Sequence, residues 1–130
     1  MGKQQLIYVI EDSSIIREVV SLIFSGKKNS TVKAYCTGEE MFLNMNDEIP
    51  NLLILDYYLN AKNKNAMNGY DVLKKLNDNH KKVTTILLSG MHDEKKLKEV
   101  KELGVVDFIN KEVDDVFTKI ESLSSKYLLD

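Results

Sequence analysis

Four short apolar runs, each closed by polar or glycine residues, recur along the chain: Leu6 to Ile10, Leu52 to Leu55, Val83 to Leu88 and Val105 to Ile109. Runs of this length suit strands buried on both faces of a sheet. A weaker stretch, Thr31 to Tyr35, alternates polar and apolar residues and fits an edge strand. Between the runs the apolar spacing changes to three and four. Ser13 and Ser14 can cap a segment carrying Ile15, Ile16, Val19, Val20, Ile23 and Phe24, which Gly26 ends. Thr37 with Glu40 is expected to form a capping box opening a short helix with Met41, Phe42 and Met45, stopped near Pro50. Asn68 can cap a third helix burying Val72, Leu73 and Leu76. A charged fourth helix carries Leu97, Val100 and Leu103 before Gly104, and a fifth sets Val113, Val116, Phe117, Ile120 and Leu123 on one stripe.

Strand and helix thus alternate five times without a repeat or a linker. That order calls for an α/β fold, a parallel sheet with helices on both faces. Right-handed crossovers and an edge place for the second strand favour the flavodoxin-like, doubly wound order 2-1-3-4-5. A glycine-rich dinucleotide fingerprint is missing after the first strand, where Glu11-Asp12-Ser13-Ser14 stands, so no dinucleotide is expected. The 130 residues are expected to form one domain over 1–130.

Eighteen basic against twenty acidic side chains give a net charge of -2, which excludes strong electrostatic attraction to nucleic acid or an anionic membrane. The longest unbroken apolar run has five residues, against the roughly 20 that span a bilayer. A cytoplasmic location is therefore expected. Cys36, the single cysteine, has no partner for an internal disulfide and is expected to be reduced and partly buried. With only His80 and His92 beside it, a standard zinc site is excluded. Neither histidine follows an apolar run, so both are expected at the surface. Any metal must then be held by oxygen.

Ligands of open parallel sheets bind beyond the carboxyl ends of the strands. There the sequence supplies Glu11 and Asp12 after the first run, Asp56 after the third, Ser89 and Gly90 after the fourth, and Asn110 and Lys111 after the fifth. Three carboxylates gathered at one edge repel one another, and a hard divalent cation such as Mg2+ holds them ionised. A lysine and a hydroxyl beside that cation complete a cradle for a phosphoryl group. Asp56 is then placed as a nucleophile toward phosphorus, giving an aspartyl phosphate. Taken singly, each residue has a plainer reading: Asp56 as a turn residue ending a strand, Glu11-Asp12 as a helix-capping pair, Ser89 as a loop residue.

In these four motifs, in this order at these strand ends, the chain resembles the receiver domain of two-component response regulators, of the single-domain kind similar to the chemotaxis regulator. The resemblance runs from Leu6 to about Tyr127. It implies that Glu11 and Asp12 bind Mg2+ together with Asp56 and the main-chain carbonyl of Tyr58, and that Asp56 is the phosphoacceptor. It further implies that Lys111 and Ser89 contact the phosphoryl group, with the main-chain amides of Tyr57 and Gly90 as additional donors. Ser89 and Phe108 would move together as the switch, altering the surface of helix four, strand five and helix five. The implied partners are a sensor histidine kinase or phosphotransfer protein and a downstream protein target. No direct contact with nucleic acid or membrane is implied, and the protein would be a monomer or a weak phosphorylation-dependent dimer. On this reading the chain is not an enzyme beyond its own phosphorylation and dephosphorylation.

The chain departs from the family pattern in three places. Asn60 stands where a proline is usual, and Lys62 to Asn68 delay Gly69, leaving a long basic loop. Glu112 replaces the usual proline after Lys111, so a trans bond is expected there. Tyr58 and Met91 fill the positions that govern access of hydrolytic water in the family, and their size predicts slow loss of phosphate. Two other functions compete. A haloacid-dehalogenase-type phosphatase needs a second aspartate where Tyr58 stands, and a pseudo-receiver binding module would lack phosphorylation although the acidic pair, aspartate, hydroxyl and lysine are all present.

Overall fold

The computed structural model describes residues 4–59, 64–90 and 94–128. Strands β1 (Gln5–Ile10), β2 (Ser30–Tyr35), β3 (Leu52–Asp56), β4 (Thr85–Ser89) and β5 (Val105–Asn110) alternate with helices α1 (Ser14–Ser25), α2 (Gly38–Met45), α3 (Gly69–Asp78), α4 (Glu94–Lys101) and α5 (Val116–Tyr127). All four strand pairings are parallel, in the order β2-β1-β3-β4-β5. This is the expected flavodoxin-like arrangement, with β2 at an edge.

Alternation along the strands divides the core in two. Ile7, Val9, Leu52, Ile54, Ile86 and Leu88 pack with Val20, Ile23 and Phe24 of α1 and Ile120 of α5. Tyr8, Ile10, Leu53, Leu55 and Leu87 face the other way, against Met41 and Met45 of α2, Leu73 and Leu76 of α3 and Val100 of α4. Burial of each such side chain contributes about 1.5–3 kcal/mol. Both faces of β1, β3 and β4 are covered, which is why their sequences are continuous apolar runs rather than alternating ones.

The caps act as local signals. Ser13 Oγ accepts from the Ile16 amide at 3.4 Å, and Thr37 Oγ1 from the Glu40 amide at 3.1 Å. The full reciprocal box stands at α3, where Asn68 accepts from the Asp71 amide at 2.9 Å and Asp71 from the Asn68 amide at 3.0 Å. Gly104, at φ +110°, ends the turn after α4, and a Cβ there would lie 2.6 Å from the Val83 carbonyl oxygen. Only glycine fits that approach.

Some expectations are corrected. Helix α5 starts at Val116 with Asp115 as its cap, so Val113 is outside the helix and 76% exposed, and Phe117 is 45% exposed. The cause is a tight turn after β5, in which the amides of Val113 and Asp114 donate to the Asn110 carbonyl at 3.2 and 2.8 Å. Ile15 lies on the outer side of α1, 71% exposed, and Leu103 falls past the end of α4, though it still packs on the core. Cys36 is exposed rather than partly buried. No helix is long and apolar enough to cross a membrane among the described residues.

Candidate functional site

The register of the sheet brings the strand ends level. Ile10 pairs with Leu55, Asp56 with Leu88, and Ser89 with Asn110, so the residues just past β1 and β5 emerge beside Asp56. Asp56 is the last residue of the central strand and only 2% exposed, and Glu11 is fully buried. Oxygen atoms from Glu11, Asp12 and Asp56 lie within 4.8 Å of one another. Lys111 reaches across from β5, its Nζ 2.7 Å from Glu11 Oε1 and 3.5 Å from Asp56 Oδ2. A cleft of about 330 Å³ opens over the cluster, lined by Asp12, Asp56, Tyr58, Gly90, Lys111 and Glu112.

The electrostatics arise from one ammonium shared between the Glu11 and Asp56 carboxylates, with Asp12 as a third acid beside them. Burial, and next the neighbouring Asp56 carboxylate, push the Glu11 carboxyl above its usual range, with Lys111 pulling only partly the other way. Burial alone would lower the Lys111 ammonium, but the hydrogen bond to Glu11 and the charge of Asp56 outweigh it and hold Lys111 above the ordinary lysine value. Lys111 is therefore a fixed positive charge. A set of hard oxygen donors this close, with its excess negative charge only partly offset, fits a divalent cation of the magnesium type.

Secondary contacts fix the cluster. The Ser13 amide donates to Glu11 Oε2 at 3.4 Å, and Arg17 Nη1 donates to the Glu11 carbonyl at 2.6 Å. The Lys111 amide donates to the Ser89 carbonyl at 3.3 Å, tying the ends of β4 and β5 together. Ser89 is 6% exposed at the end of β4, and Phe108 is half-buried on β5, its ring centroid 5.7 Å from Lys101 Nζ. On the far side of β3, the Gly69 amide donates to the Tyr57 carbonyl at 2.7 Å, and a Cβ on Gly69 would lie 2.8 Å from Tyr57 Cα. The two ends of the long loop are thereby clamped together.

One assignment is corrected by this geometry. The Tyr57 amide donates to the Leu88 carbonyl at 3.0 Å as a continuation of the β3–β4 ladder, and so is engaged away from the cleft. The amide directed at the carboxylate is that of Tyr58, 3.3 Å from Asp56 Oδ1. Sequence reasoning missed three participants: the Tyr58 amide, Arg17, and Glu112 as part of the cleft wall. Glu112 was visible as a departure from the usual proline, but its direction depends on the turn that carries it. No cis peptide bond occurs among the described residues, in line with the trans bond expected before Glu112. His80 is exposed after α3, while Asn60, Lys62, Asn63, Met91 and His92 lie outside the described residues.

A larger cavity of about 490 Å³ lies at the opposite end of the strands, between the last turns of α1 and α5. Its lining, with Lys27, Lys28 and Ser124, holds no carboxylate, so the chemistry belongs to the smaller cleft.

Comparison with known proteins agrees with the fold. Residues 7–120 match the family described as Response regulator receiver domain. A protein of Bacillus subtilis (strain 168) named "Probable C4-dicarboxylate response regulator DctR" is 29% identical over 110 residues, covering 84% of this chain and 46% of that protein. The chain spans about half the length of the curated relatives it matches. Among solved structures, the Mn(2+)-bound form of response regulator Rcp1 superposes with a TM-score of 0.76 at 20% identity, covering 95% of this chain and 94% of that one. The BeF3 activated DrrB receiver domain gives 0.73 at 22% identity, covering 95% and 97%. At such identities the likeness is one of fold.

Proposed function

The chain belongs to the response regulator receiver domain family, and from that premise we propose that it is a phosphoacceptor switch in which Asp56 receives a phosphoryl group from a phosphohistidine. The observation that carries the reading is the single cleft into which Asp56 opens beside Asp12 and Lys111, with Glu11 behind them. An Asp56 carboxylate oxygen forms the new bond to phosphorus. The bond from phosphorus to the donor's ring nitrogen breaks, and the nitrogen keeps the electron pair. Lys111 stands 3.5 Å from Asp56 and neutralises charge that builds on the phosphoryl oxygens. The Tyr58 amide, already turned toward Asp56, and the Gly90 amide at the cleft wall are the main-chain donors in this scheme.

Glu11, Asp12 and Asp56, with the Tyr58 carbonyl, would hold Mg2+. When bound, it supplies the positive charge that lets an anionic carboxylate approach an anionic donor. The Mn(2+) bound to Rcp1 supports a divalent cation here by family likeness. Ser89 and Phe108 are the proposed switch pair, coupling the new charge to the face formed by α4, β5 and α5. A histidine kinase or phosphotransfer protein would be the donor and a downstream protein the reader, in the cytoplasm. The chain's own catalysis would extend to its phosphorylation and dephosphorylation.

Intact mass after incubation with Mg2+ and acetyl phosphate tests this. Wild type is expected to gain one phosphoryl group and Asp56→Asn none. Labelling of both, or of neither under conditions that label a known receiver, would overturn it.

A further inference from the structure

We infer that Glu112 is a specificity-determining residue of the acceptor site, one that disfavours small phosphodonors in proportion to their negative charge. The inference rests on the phosphoacceptor reading above and adds a selectivity to it. Glu112 lines the same cleft as Asp56 and Lys111. Its carboxylate lies flat against Gly90, so close that a Cβ on that glycine would sit 3.1 Å from Glu112 Oε1 and 3.2 Å from its Cδ. The absence of a side chain at position 90 is what gives the carboxylate its place beside the Gly90 main chain.

The backbone beneath Glu112 is closely held. Its amide donates to Asn110 Oδ1 at 2.9 Å, the Asn110 amide donates to Asp114 Oδ2 at 2.9 Å, and the Asp114 amide returns to the Asn110 carbonyl at 2.8 Å. With the Lys111 amide on the Ser89 carbonyl, the turn from 110 to 114 is locked to the ends of β4 and β5. Glu112 is thus carried by an ordered turn rather than by a loose loop.

Charge balance gives it a consequence. A divalent cation and the Lys111 ammonium together offset Glu11, Asp12 and Asp56. Glu112 is then a fourth negative charge at the cleft wall, with no ion-pair partner among the described residues. A donor bound over Asp56 sits in the cleft that Glu112 lines, and the repulsion from Glu112 grows with the donor's own charge. Acetyl phosphate is a dianion at neutral pH and phosphoramidate a monoanion. With the first, the Asp56 oxygen bonds to phosphorus and acetate leaves with the electron pair of the broken phosphorus–oxygen bond. With the second, the phosphorus–nitrogen bond breaks and ammonia leaves. Glu112 makes and breaks no bond in either; it acts on the approach.

The test is the second-order labelling rate of wild type and Glu112→Gln with each donor, in Mg2+, followed by intact mass. Glu112→Gln is expected to raise the rate about fivefold with acetyl phosphate and about twofold with phosphoramidate, as expected if repulsion scales with donor charge. Both gains should largely vanish in about 0.5 M salt, where the screening length falls to roughly 4 Å. Equal gains with the two donors, gains that persist in salt, or no gain at all would overturn the inference while leaving the phosphoacceptor reading intact. Failure of both proteins to label with either donor would overturn that reading, and the inference with it.

Discussion

Lys111 meets Glu11 at 2.7 Å and Lys33 meets Glu48 at 2.8 Å, yet the two glutamates are driven in opposite directions. Glu48 is partly exposed, beyond the α2 turn, and accepts from both Lys33 and the Tyr8 hydroxyl. These hydrogen bonds, that of Lys33 first, hold its carboxyl below the usual range. Glu11 has no exposed surface and shares its lysine with Asp56. Burial and then that neighbour lift its carboxyl above the usual range. Pair distance is nearly the same in both places. The number of like charges and the access of water decide whether the pair is at ease, and at the strand ends it is not.

The largest expected effect comes from removing the cation where it is most needed. Without divalent ions, Lys111→Met should lower stability to urea unfolding by about 3 kcal/mol, as for a broken buried pair. Added Mg2+ should restore a substantial part of it. A variant that unfolds like wild type would mean that the two pairs are equivalent after all. In the other network Tyr8→Phe keeps a fully buried ring and deletes a hydroxyl that donates to Glu48 Oε1 at 2.5 Å. A loss of about 1 kcal/mol is expected, the size of one hydrogen bond with a partner that water can reach. A loss matching that of Lys111→Met would erase the distinction.

The finest discrimination lies in pH. A glutamate with a lowered folded pKa contributes stability above its unfolded value, and that is lost as pH falls through the folded one. Glu48 therefore makes stability fall with acid, below the ordinary carboxylate range. A glutamate with a raised folded pKa does the reverse: its contribution is complete below the unfolded value and is lost as pH rises through the folded one. Metal-free protein should lose stability from this source as pH rises above the ordinary range. Glu48→Gln should flatten the acid limb alone and Glu11→Gln the upper limb alone, both read from urea midpoints across pH. Slopes of the same sign would break the comparison.

The sheet order and the gathering of Glu11, Asp12, Asp56 and Lys111 were legible because both depend on periodicity and on chain order. Buried parallel strands must be apolar throughout, and a parallel sheet must bring the residues beyond every strand's carboxyl end to one edge. The features that were not legible depend on hydrogen bonds between a side chain and a nearby backbone. Asn110 and Asp114 close a turn that delays α5 until Val116, so an apolar stripe that looked continuous from Val113 is cut. The Tyr57 amide looked free to serve the cleft because nothing in the residue names reveals that the ladder to β4 runs one step past Asp56. Glu112 looked like a mere replacement for proline until the same turn set it against Gly90.

The clamp between Tyr57 and Gly69 has a consequence for how such a chain can diversify. A hydrogen bond of 2.7 Å and a backbone contact that only glycine permits fix the base of the connection. Segment length above a fixed base adds to closure entropy only logarithmically, about 0.6 kcal/mol for each doubling. Chain length can therefore vary beside Asp56 at little entropic cost, while Tyr58 at the cleft wall and Leu59 and Met67 on the core hold the flanks of the connection in place.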